Sequence, residues 1–467
     1  MRQKMNRRDF LQKNAMMVAG LTIVPSSVLG KMAGKTAPSD KLNIAGIGVG
    51  GKGAGNLRNM KSENIVALCD VDWGFCKKIF EEFPDAKKFY DYREMFDKIG
   101  KEIDAVMIAT PDHTHALIAS HAIVMTKHVY LQKPLTHSVY ESRLLTKLAQ
   151  KYKVCTQMGN EGASGRGFRQ PSDIIWSGLL GEVTRVEAYT DRPIWPQGIR
   201  RPTEVHEIPS TLNWELFVGP AKMRPFNKAY HPFVWRGWWD YGTGALGDMA
   251  CHIIHPIYHA LRLGSPDTIQ SSSTALLPDS APHAEMVRYT FPARGTIGNA
   301  KVQLPELTVD WYDGGLKPPR PKGMPDDVQL SASGTTIYHG TKDTLIGNRL
   351  LSGREVNVPS QQRVIEISHE MDWVRACKEN VNSRVKPVSD FDETGPLNEM
   401  IVAGVSAVRL QGIGKTLRWD GPNMRFTNIN PDETIKLGNE TVNARAFSEE
   451  LIKHTYYNGY KLVDMPV

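Results

Sequence analysis

The 467-residue sequence is poor in cysteine, and its few cysteines are scattered along the chain. Their number is odd, and no two stand at the close spacing of a metal-binding pair. A disulfide framework is therefore not expected, although one incidental bridge stays open, and packed free thiols are the default interpretation. The five positions are Cys69, Cys76, Cys155, Cys251 and Cys377.

The chain also lacks a block of like charge. Its 57 basic and 50 acidic residues leave a net charge of +7 that is spread along the sequence. This distribution gives little support to a nucleic-acid partner. The length exceeds that of one ordinary domain, so two domains with extensions are expected, and no internal repeat is evident.

No apolar run is long enough to span a bilayer comfortably, and the longest near the N-terminus is Ala15 to Val24. It follows Asn6-Arg7-Arg8-Asp9-Phe10-Leu11, which is a twin-arginine pattern in the order of an export signal. We interpret residues 1–37 as a twin-arginine export signal and linker; the alternative is a surface amphipathic helix. The interpretation predicts a periplasmic protein with no stable membrane anchor after signal cleavage.

The stretch that organises the chain is Lys41 to Gly55, an apolar run that breaks into glycines. Its first part predicts a buried parallel strand, after which Gly46, Gly48 and Gly51 have G-x-G-x-x-G spacing. Glycines at this spacing permit a tight turn, close approach of the backbone to a pyrophosphate, and close packing of the next helix. Glycine-rich turns are common, so this signal alone is weak.

Two further strands strengthen the prediction. Residues 64–68 (NIVAL) are followed by Asp70, where a carboxylate would accept hydrogen bonds from an adenosine ribose. Residues 103–109 run into Thr110-Pro111-Asp112-His113-Thr114-His115. Strand, glycine turn, helix, strand, acid, helix and strand form one mononucleotide-binding half of a doubly wound sheet. No arginine or lysine directly follows Asp70, which favours NAD over NADP.

The remaining elements predict two domains of different kinds. A fourth strand at 128–131 ends in Gln132-Lys133-Pro134, and a helix and strand then complete a dinucleotide-binding domain at 38–160. Residues 161–420 contain strands without regular intervening helices, which predicts one large open sheet, mostly antiparallel or mixed. The fold class is therefore α/β, with a Rossmann-type doubly wound parallel sheet and an α+β second domain. Residues 421–467 have weak periodicity and are interpreted as an extended arm.

The glycine turn, the TPDHTH segment, Lys133-Pro134 and the segment GALGDMACHIIHP at 244–256 together resemble the Gfo/Idh/MocA oxidoreductase family. The resemblance covers roughly residues 41–420. It implies a site between the two domains, NAD as the cofactor, and a sugar, sugar acid or cyclitol as the substrate. The cofactor-binding residues expected from the motifs and the resemblance are Gly46, Gly48, Gly51, Asp70, Thr110, Pro111, His115 and Lys133.

The resemblance also implies a catalytic set of Lys133, Asp248 and His252. Oxidation of a secondary alcohol by hydride transfer requires removal of the hydroxyl proton, for which a histidine is suited. Asp248 lies one helical turn before His252 and can orient it, while Lys133 can polarise the reacting oxygen. A lone histidine on an apolar helix is more often a core residue, but the surrounding motif favours a site role.

The sequence departs from the family pattern at two positions. Gln132 stands where the family usually has glutamate, which removes a charge beside Lys133, and His255 stands where aspartate is common. His252, His255 and His259 share a helical stripe that resembles a metal site. Because Pro256 disfavours helix at His255 and the family needs no metal for hydride transfer, no metal is expected.

Aromatic and charged residues cluster in two segments, 191–195 and 230–240. Aromatic faces pack against sugar rings, and charged side chains read hydroxyl groups. The alternative is ordinary aromatic packing under a loop. The substrate-binding candidates are Asp191, Arg192, Trp195, His231, Trp235, Arg236 and Trp238.

These observations predict an NAD-dependent oxidoreductase that acts on a sugar, glycoside or cyclitol. A first alternative is a glycoside hydrolase or lyase that uses transient oxidation, elimination and re-reduction. A second is a non-catalytic sugar- or nucleotide-binding protein, since fold does not fix function. A tightly bound NAD and a homo-oligomer are also expected.

Overall fold

The computed structural model of the protein describes residues 40–466. The twin-arginine pattern and the proposed signal lie outside this range. Within the described residues, no helix is long and apolar enough to cross a membrane. All five cysteines are buried free thiols, which confirms the interpretation from their spacing.

The first domain is a six-stranded parallel sheet flanked by helices, in the order β3-β2-β1-β4-β5-β6. This arrangement confirms the predicted Rossmann-type fold. Its elements are β1 (Asn43–Ile47), α1 (Lys52–Asn59), β2 (Asn64–Cys69), α2 (Lys77–Glu82), β3 (Lys87–Phe89), α3 (Tyr92–Ile99), β4 (Ala105–Ile108), α4 (Asp112–Val124), β5 (His128–Leu131), α5 (Val139–Tyr152) and β6 (Thr156–Met158).

The central strands of this sheet are buried on both faces, as their continuous apolar runs predict. Ala45 on β1 and all four residues of β4 are inaccessible to solvent. The strand order reverses between β1 and β4, so a crevice opens at the carboxyl ends of these two strands. The dinucleotide of a doubly wound fold binds in this crevice.

The second domain is built on a nine-stranded mixed sheet, in the order β15-β14-β13-β7-β12-β9-β8-β16-β17. Only β7 and β12 pair in parallel; the other described neighbours are antiparallel. The strands of this sheet are β7 (Val183–Thr190), β8 (Thr268–Ser273), β9 (Glu285–Phe291), β12 (Leu307–Tyr312), β13 (Gly334–Gly340), β14 (Thr344–Ile346), β15 (Arg349–Leu350), β16 (Leu417–Asp420) and β17 (Arg425–Phe426). Two separate two-stranded sheets consist of β10 (Thr296–Ile297) with β11 (Val302–Gln303), and of β18 (Thr434–Leu437) with β19 (Glu440–Asn443). The helices of the second domain are α6 (Arg166–Trp176), α7 (Trp214–Val218), α8 (Gly244–Ile253), α9 (His255–Leu261), α10 (His369–Cys377), α11 (Phe391–Arg409) and α12 (Ala444–Ile452).

Two helices from the later part of the chain pack back onto the first domain. Trp373 of α10 is fully buried, with its ring 5.7 Å from that of Tyr130 on β5. On α11, Glu399 forms a 2.6 Å ion pair with Arg143 of α5. The nucleotide-binding domain therefore draws part of its core from residues far beyond position 160, which chain order alone does not predict.

The C-terminal region contains more regular structure than the extended arm expected from its sequence. The strands β18 and β19 form a hairpin, and α12 follows directly. Asn443 begins α12 as a side-chain cap that accepts a hydrogen bond from the backbone nitrogen of Ala446. Only residues 453–466 are extended, and they return to the first domain.

Candidate active site

An open cleft lies at the carboxyl ends of β1, β2, β4 and β5. The first domain contributes Gly48, Asp70 and Lys133 to its walls, and the second contributes Trp235 and Arg236. The cleft therefore lies between the domains, at the crevice that the strand order defines.

The glycine turn closes one end of this cleft. Gly48 has a φ of +77°, and a Cβ atom there would lie 2.6 Å from the backbone nitrogen of Thr110. Gly53, in the first turn of α1, would place a Cβ atom 2.1 Å from the carbonyl oxygen of Gly48. Only glycine at both positions allows the turn and α1 to approach each other this closely.

The glycine motif at the turn begins two residues later in the chain than predicted. Gly46 lies within β1, where its Cβ atom would meet Leu57 at 2.9 Å, and Gly51 lies open to solvent before α1. The triplet 48, 50 and 53 has the same G-x-G-x-x-G spacing and contains both constrained glycines. The sequence pattern fits both triplets equally well, and the triplet at 48, 50 and 53 is identified only because β1 is observed to end at Ile47.

Asp70 holds this turn in place from the end of β2. Its Oδ2 atom accepts hydrogen bonds from the backbone nitrogens of Val49 at 2.7 Å and Gly50 at 3.1 Å. Its Oδ1 atom accepts one from the backbone nitrogen of Asp72 at 3.0 Å. Burial raises the pKa of Asp70, although these hydrogen bonds oppose the shift. The glycine cradle and this carboxylate at the cleft wall fit the pyrophosphate and ribose of a dinucleotide.

Thr110 and Pro111 line the cleft, but His115 does not. The ring of His115 is fully buried, with Nδ1 2.9 Å from the carbonyl oxygen of Pro134 and Nε2 2.8 Å from that of Thr110. Burial lowers its pKa to about 4, so the ring is neutral at pH 7. The structure thus places His115 between the turns that follow β4 and β5, where it supports Thr110 and Lys133 from behind instead of reaching the cofactor.

Lys133 lines the cleft and contacts Asp248, a buried residue outside the cleft lining, although 115 positions separate them. Lys133 Nζ is 2.8 Å from Asp248 Oδ1 and 3.3 Å from the Asp248 carbonyl oxygen. Arg236 Nε donates to the same Oδ1 atom at 3.0 Å. Burial favours the neutral carboxyl, but the two cations outweigh it and hold the pKa of Asp248 below its usual range. The cluster of Lys133, Arg236 and Asp248 therefore carries two positive charges and one negative charge.

His252 lies on α8, one turn beyond Asp248. His252 is exposed, it forms no hydrogen bond with the described residues, and it is not among the residues that line the cleft. Close surrounding protein and the charge of Lys133 nevertheless lower its pKa, while Asp248 opposes this shift. The imidazole is therefore neutral at pH 7, with a nitrogen available to accept a proton.

The other two histidines of the stripe face a different partner. A break at Ile254 separates α8 from α9, and Pro256 lies in the first turn of α9. His255 Nε2 and His259 Nδ1 lie 3.0 and 2.9 Å from the same Oε1 atom of Glu393. Residues 40–466 contain no group of three histidine, cysteine or acidic residues placed to hold a metal ion.

Comparison with known proteins identifies the family. A model described as "Oxidoreductase family, NAD-binding Rossmann fold" matches residues 41–160, and one described as "Oxidoreductase family, C-terminal alpha/beta domain" matches residues 172–294. Both are Gfo/Idh/MocA models, and together they match about half of the chain. The chain belongs to the Gfo/Idh/MocA oxidoreductase family.

Two curated relatives indicate the range of activities in this family. Inositol 2-dehydrogenase of Salmonella typhimurium (strain LT2) is 27% identical over 182 residues, which cover 36% of this chain and 53% of the relative. Glycosyl hydrolase family 109 protein 2 of Shewanella sp. (strain ANA-3) is 24% identical over 252 residues, which cover 48% and 51%. The chain thus spans about half the length of the curated relatives it matches.

Solved structures share the fold at low sequence identity. The WlbA dehydrogenase from Bordetella pertussis, in complex with NADH and UDP-GlcNAcA, superposes with a TM-score of 0.55 at 14% identity and covers 81% of this chain and 99% of its own. An NAD-binding protein from Listeria innocua gives a TM-score of 0.55 at 15% identity, with 81% and 97% covered. These likenesses establish the architecture alone.

The first departure from the Gfo/Idh/MocA pattern, Gln132, belongs to a buried polar network. Its Nε2 atom donates to Asn56 Oδ1 at 2.9 Å. Asn56 in turn donates to Glu370 at 2.7 Å and to Glu161 at 3.1 Å. The nearest carboxylates of this network, Glu370 and Glu161, are therefore connected to Gln132 only through Asn56, whereas a glutamate at position 132 would stand directly beside Lys133.

The aromatic candidates divide into those at the cleft and those in the core. Trp235 lines the cleft, with its ring 4.3 Å from the Arg236 guanidinium. Trp195 is buried and outside the cleft lining, although its ring lies 6.0 Å from the same guanidinium. Trp238 is fully buried and donates to the carbonyl oxygen of Ala229 at 2.6 Å. It is a core residue and does not face the cleft. The tryptophans of one short segment thus have different roles, which their spacing does not reveal.

The polar candidates of the second domain also separate. His231 lines the cleft, but its Nε2 atom is 3.0 Å from Asp72 Oδ2 of the first domain, on the nucleotide side. Asp191 and Arg192 form a 3.8 Å ion pair near the surface, outside the residues that line the cleft. Of these three, the structure brings only His231 to the cleft.

Three cleft features were absent from the predicted site. Asp112, within the TPDHTH segment, is buried between the domains and bonds Thr243. Phe233 lines the cleft at a φ of +64°, which is rare outside glycine. Tyr460 also lines the cleft. The motif could have pointed to Asp112, whereas no sequence signal connects Tyr460 with this site.

Proposed function

We propose that this protein is an NAD-dependent oxidoreductase that oxidises a hydroxyl group of a sugar, glycoside or cyclitol. The observation that carries the proposal is the 2.8 Å contact between Lys133 and Asp248. It joins the end of a Rossmann strand, where Lys133 lines the same cleft as the glycine turn, to the helix that carries His252.

The residues of the cleft favour NAD as the cofactor. Gly48, Gly50 and Gly53 leave room for a pyrophosphate, and Asp70 offers a carboxylate to a ribose. The two residues after Asp70 are Val71 and Asp72, so no basic residue directly follows the carboxylate, which favours NAD over NADP. Bound nicotinamide supplies the hydride acceptor.

The chain's own residues provide the proton chemistry. The Lys133 ammonium has three N–H donors, two of which point to Asp248, so one remains for a substrate oxygen. Asp248 balances part of the positive charge of Lys133 and Arg236. His252 is neutral and open, so it can accept the hydroxyl proton as the carbon is oxidised.

A second candidate function is glycoside hydrolysis or elimination. Its support is the match to the Shewanella glycosyl hydrolase family 109 proteins, which covers 48% of this chain. Oxidation at a ring carbon acidifies the adjacent C–H bond, elimination releases the glycosidic group, and return of the hydride restores the oxidation state. For a net hydrolysis, water adds across the resulting double bond before the hydride returns, while the neighbouring ketone still activates it; return of the hydride without water addition gives a net elimination.

The proposed location is the periplasm, on the strength of the twin-arginine pattern at Arg7-Arg8. NAD is a charged molecule that does not cross membranes freely. An exported enzyme that released NADH in each cycle would soon stop, so we propose that the cofactor stays bound and is re-oxidised in place. A homo-oligomer remains a prediction.

The test is a panel of sugars, glycosides and cyclitols incubated with purified protein after gel filtration. Each reaction is scored for both NADH absorbance and released aglycone, with and without added NAD. NADH formation supports the dehydrogenase, and aglycone release without net NADH supports the second candidate. Lys133→Ala serves as the control, because activity that survives this change does not come from the proposed site. If the protein binds a sugar or NAD but gives neither NADH nor released aglycone with any compound of the panel, it is a binding protein instead.

A further inference from the structure

The segment after α12 crosses both domains before it reaches the cleft. The ring of His454 lies 4.8 Å from that of His137, and the hydroxyl group of Tyr456 donates to Glu141 on α5. Glu141 already accepts hydrogen bonds from the backbone nitrogens of His137 and Ser138, because it forms a capping box with Ser138, the N-cap of α5. The segment is therefore attached to the first domain through a buried, fully bonded carboxyl group.

Residues 457–460, which follow, form a tight turn that contacts the second domain. The backbone nitrogen of Tyr460 donates to the carbonyl oxygen of Tyr457 at 3.0 Å, across Asn458 and Gly459. These two residues have φ values of +55° and +78°, which are typical of a type I′ turn with Asn-Gly at its centre. The turn geometry is thus encoded locally.

This turn bonds three successive carbonyl groups of the loop that follows α7. Asn458 Nδ2 donates to the carbonyl oxygens of Gly219 at 2.8 Å and Ala221 at 2.9 Å. The backbone nitrogen of Tyr457 donates to that of Pro220 at 2.9 Å. The loop itself lines the cleft through Gly219 and Pro220, so the turn is fixed to the cleft wall.

The turn delivers Tyr460 to the cleft beside β3. The Arg93 guanidinium lies 4.8 Å from the centre of the Tyr460 ring, and Arg93 is itself paired with Asp91 at 2.6 Å. Tyr90 and Tyr92, which follow β3, line the same part of the cleft. An arginine, held in place by its ion pair, thus supports the aromatic ring of Tyr460 at the wall.

This part of the cleft corresponds to the adenosine half of a dinucleotide. In a doubly wound fold the acidic residue after β2 binds the adenosine ribose, and here that residue is Asp70. Lys133, which serves the chemistry, lies across the switch point at the end of β5. Tyr460 therefore lies on the β2–β3 side, away from the reacting atoms.

We propose that Tyr460 is a cofactor-binding residue and that residues 453–460 form a strap that retains the adenosine half of the nucleotide. The inference rests on the proposed NAD-dependent function. The strap lies outside both ranges matched by the family models, which end at residue 294. It supplies an aromatic surface for the adenine and a physical connection between the two walls of the cleft, so it slows release of the cofactor.

The experiment measures how fast bound NAD leaves the full-length protein. Wild type, Tyr460→Ala and Asn458→Gly are loaded with radiolabelled NAD and chased with excess unlabelled NAD, and retained label is counted over time. Asn458→Gly keeps the positive φ but removes the two side-chain hydrogen bonds. Tyr457→Ala is the matched control, because its side chain is 43% exposed and it bonds the loop only through its backbone.

Loss of an aromatic stacking surface is expected to accelerate NAD dissociation by roughly tenfold to a hundredfold in Tyr460→Ala. Asn458→Gly is expected to show a smaller acceleration, and Tyr457→Ala none. Equal dissociation rates for wild type and Tyr460→Ala would overturn the strap. Tyr460→Leu, which retains apolar bulk, tests the same point if the alanine variant does not fold.

Failure of the underlying function gives a different result. If the wild-type protein binds no NAD under any loading condition, the proposed cofactor is wrong, and the proposed role of the strap is wrong as well. If wild type and Tyr460→Ala both bind NAD and release it at the same rate, only the strap is wrong. Acceleration by Tyr457→Ala equal to that of Tyr460→Ala would also overturn the assignment to Tyr460.

Discussion

The Oδ2 atom of Asp112 accepts hydrogen bonds from both the backbone nitrogen of Thr243 at 3.1 Å and its hydroxyl group at 2.9 Å. Asp112 belongs to α4 of the first domain, whereas Thr243 precedes α8 of the second. This contact therefore sets the start of the helix that carries Asp248 and His252. The Oδ1 atom of Asp112 is buried without a partner among the described residues.

Asp112 should make the stability of the protein depend on pH. Burial, with the nearby charge of Asp248, raises the pKa of Asp112 from 3.8 to about 7. Folding therefore favours the protonated carboxyl, and this contribution is present below pH 3.8 and is lost as the pH rises through about 7. We expect the unfolding free energy of wild type to fall between pH 4 and 7, relative to Asp112→Asn, by at most about 4 kcal/mol. Urea denaturation of both proteins at several pH values measures the difference, and parallel stability curves would contradict it.

Gly53 and Gly55 provide a matched pair on one helix. A Cβ atom at Gly53 would lie 2.1 Å from the carbonyl oxygen of Gly48, whereas one at Gly55 would meet nothing within 4 Å. Gly53→Ala should displace the glycine turn and abolish NAD binding. Gly55→Ala should leave binding intact and stabilise α1 by about 1 kcal/mol. Calorimetric titration with NAD checks both, and normal binding by Gly53→Ala would refute the assigned turn.

Removal of the imidazole of His252 should affect turnover and leave the cofactor in place. If His252 accepts the hydroxyl proton, His252→Ala should reduce kcat by roughly two to four orders of magnitude. Retained NAD is measured on the same sample. His283→Ala is a suitable control, since His283 is also exposed but precedes β9 and does not belong to the helix that carries Asp248. A loss below tenfold in His252→Ala would transfer the role to Lys133 or to a water molecule.

Trp235 and Trp238 should respond differently to the same substitution. Trp238 is fully buried and hydrogen-bonded, so Trp238→Ala should cost about 3–5 kcal/mol of stability. Trp235 faces the cleft, so Trp235→Ala should raise KM for the substrate with a smaller loss of stability. Thermal unfolding and steady-state kinetics separate the two effects. A raised KM in a stably folded Trp238→Ala protein would show that our division of the aromatic residues is wrong.

Much of the fold follows from local sequence patterns. The sequence predicts strands at 285–291 and 307–312, and β9 and β12 have these bounds. In both strands β-branched and aromatic residues are interspersed with polar ones, and β9 alternates between buried and partly buried positions. The strand β8 was not predicted, since its sequence TIQSSS shows little hydrophobic alternation and is specified by its neighbour β9. The hairpin and helix after residue 430 were also not predicted, because their apolar faces become evident only against their packing partners.

The candidate site was predictable where spacing reflects geometry, and unpredictable where tertiary packing decides. Lys133 and Asp248 come together as the family resemblance implies, although the sequence gives no local reason for contact. His115 has the residue type of a cofactor ligand, but its ring is held between two carbonyl groups behind the cleft. Trp238 and Trp235 cannot be distinguished from spacing, since burial depends on which face of the loop meets the core.

The return of α10 to the first domain has a consequence for synthesis of the chain. At about 5–20 residues per second, a ribosome needs roughly 10–40 s to proceed from residue 160 to Trp373. During this interval the sheet surface around Tyr130 lacks its natural cover. The nucleotide-binding domain therefore completes its core only after most of the polypeptide has been translated.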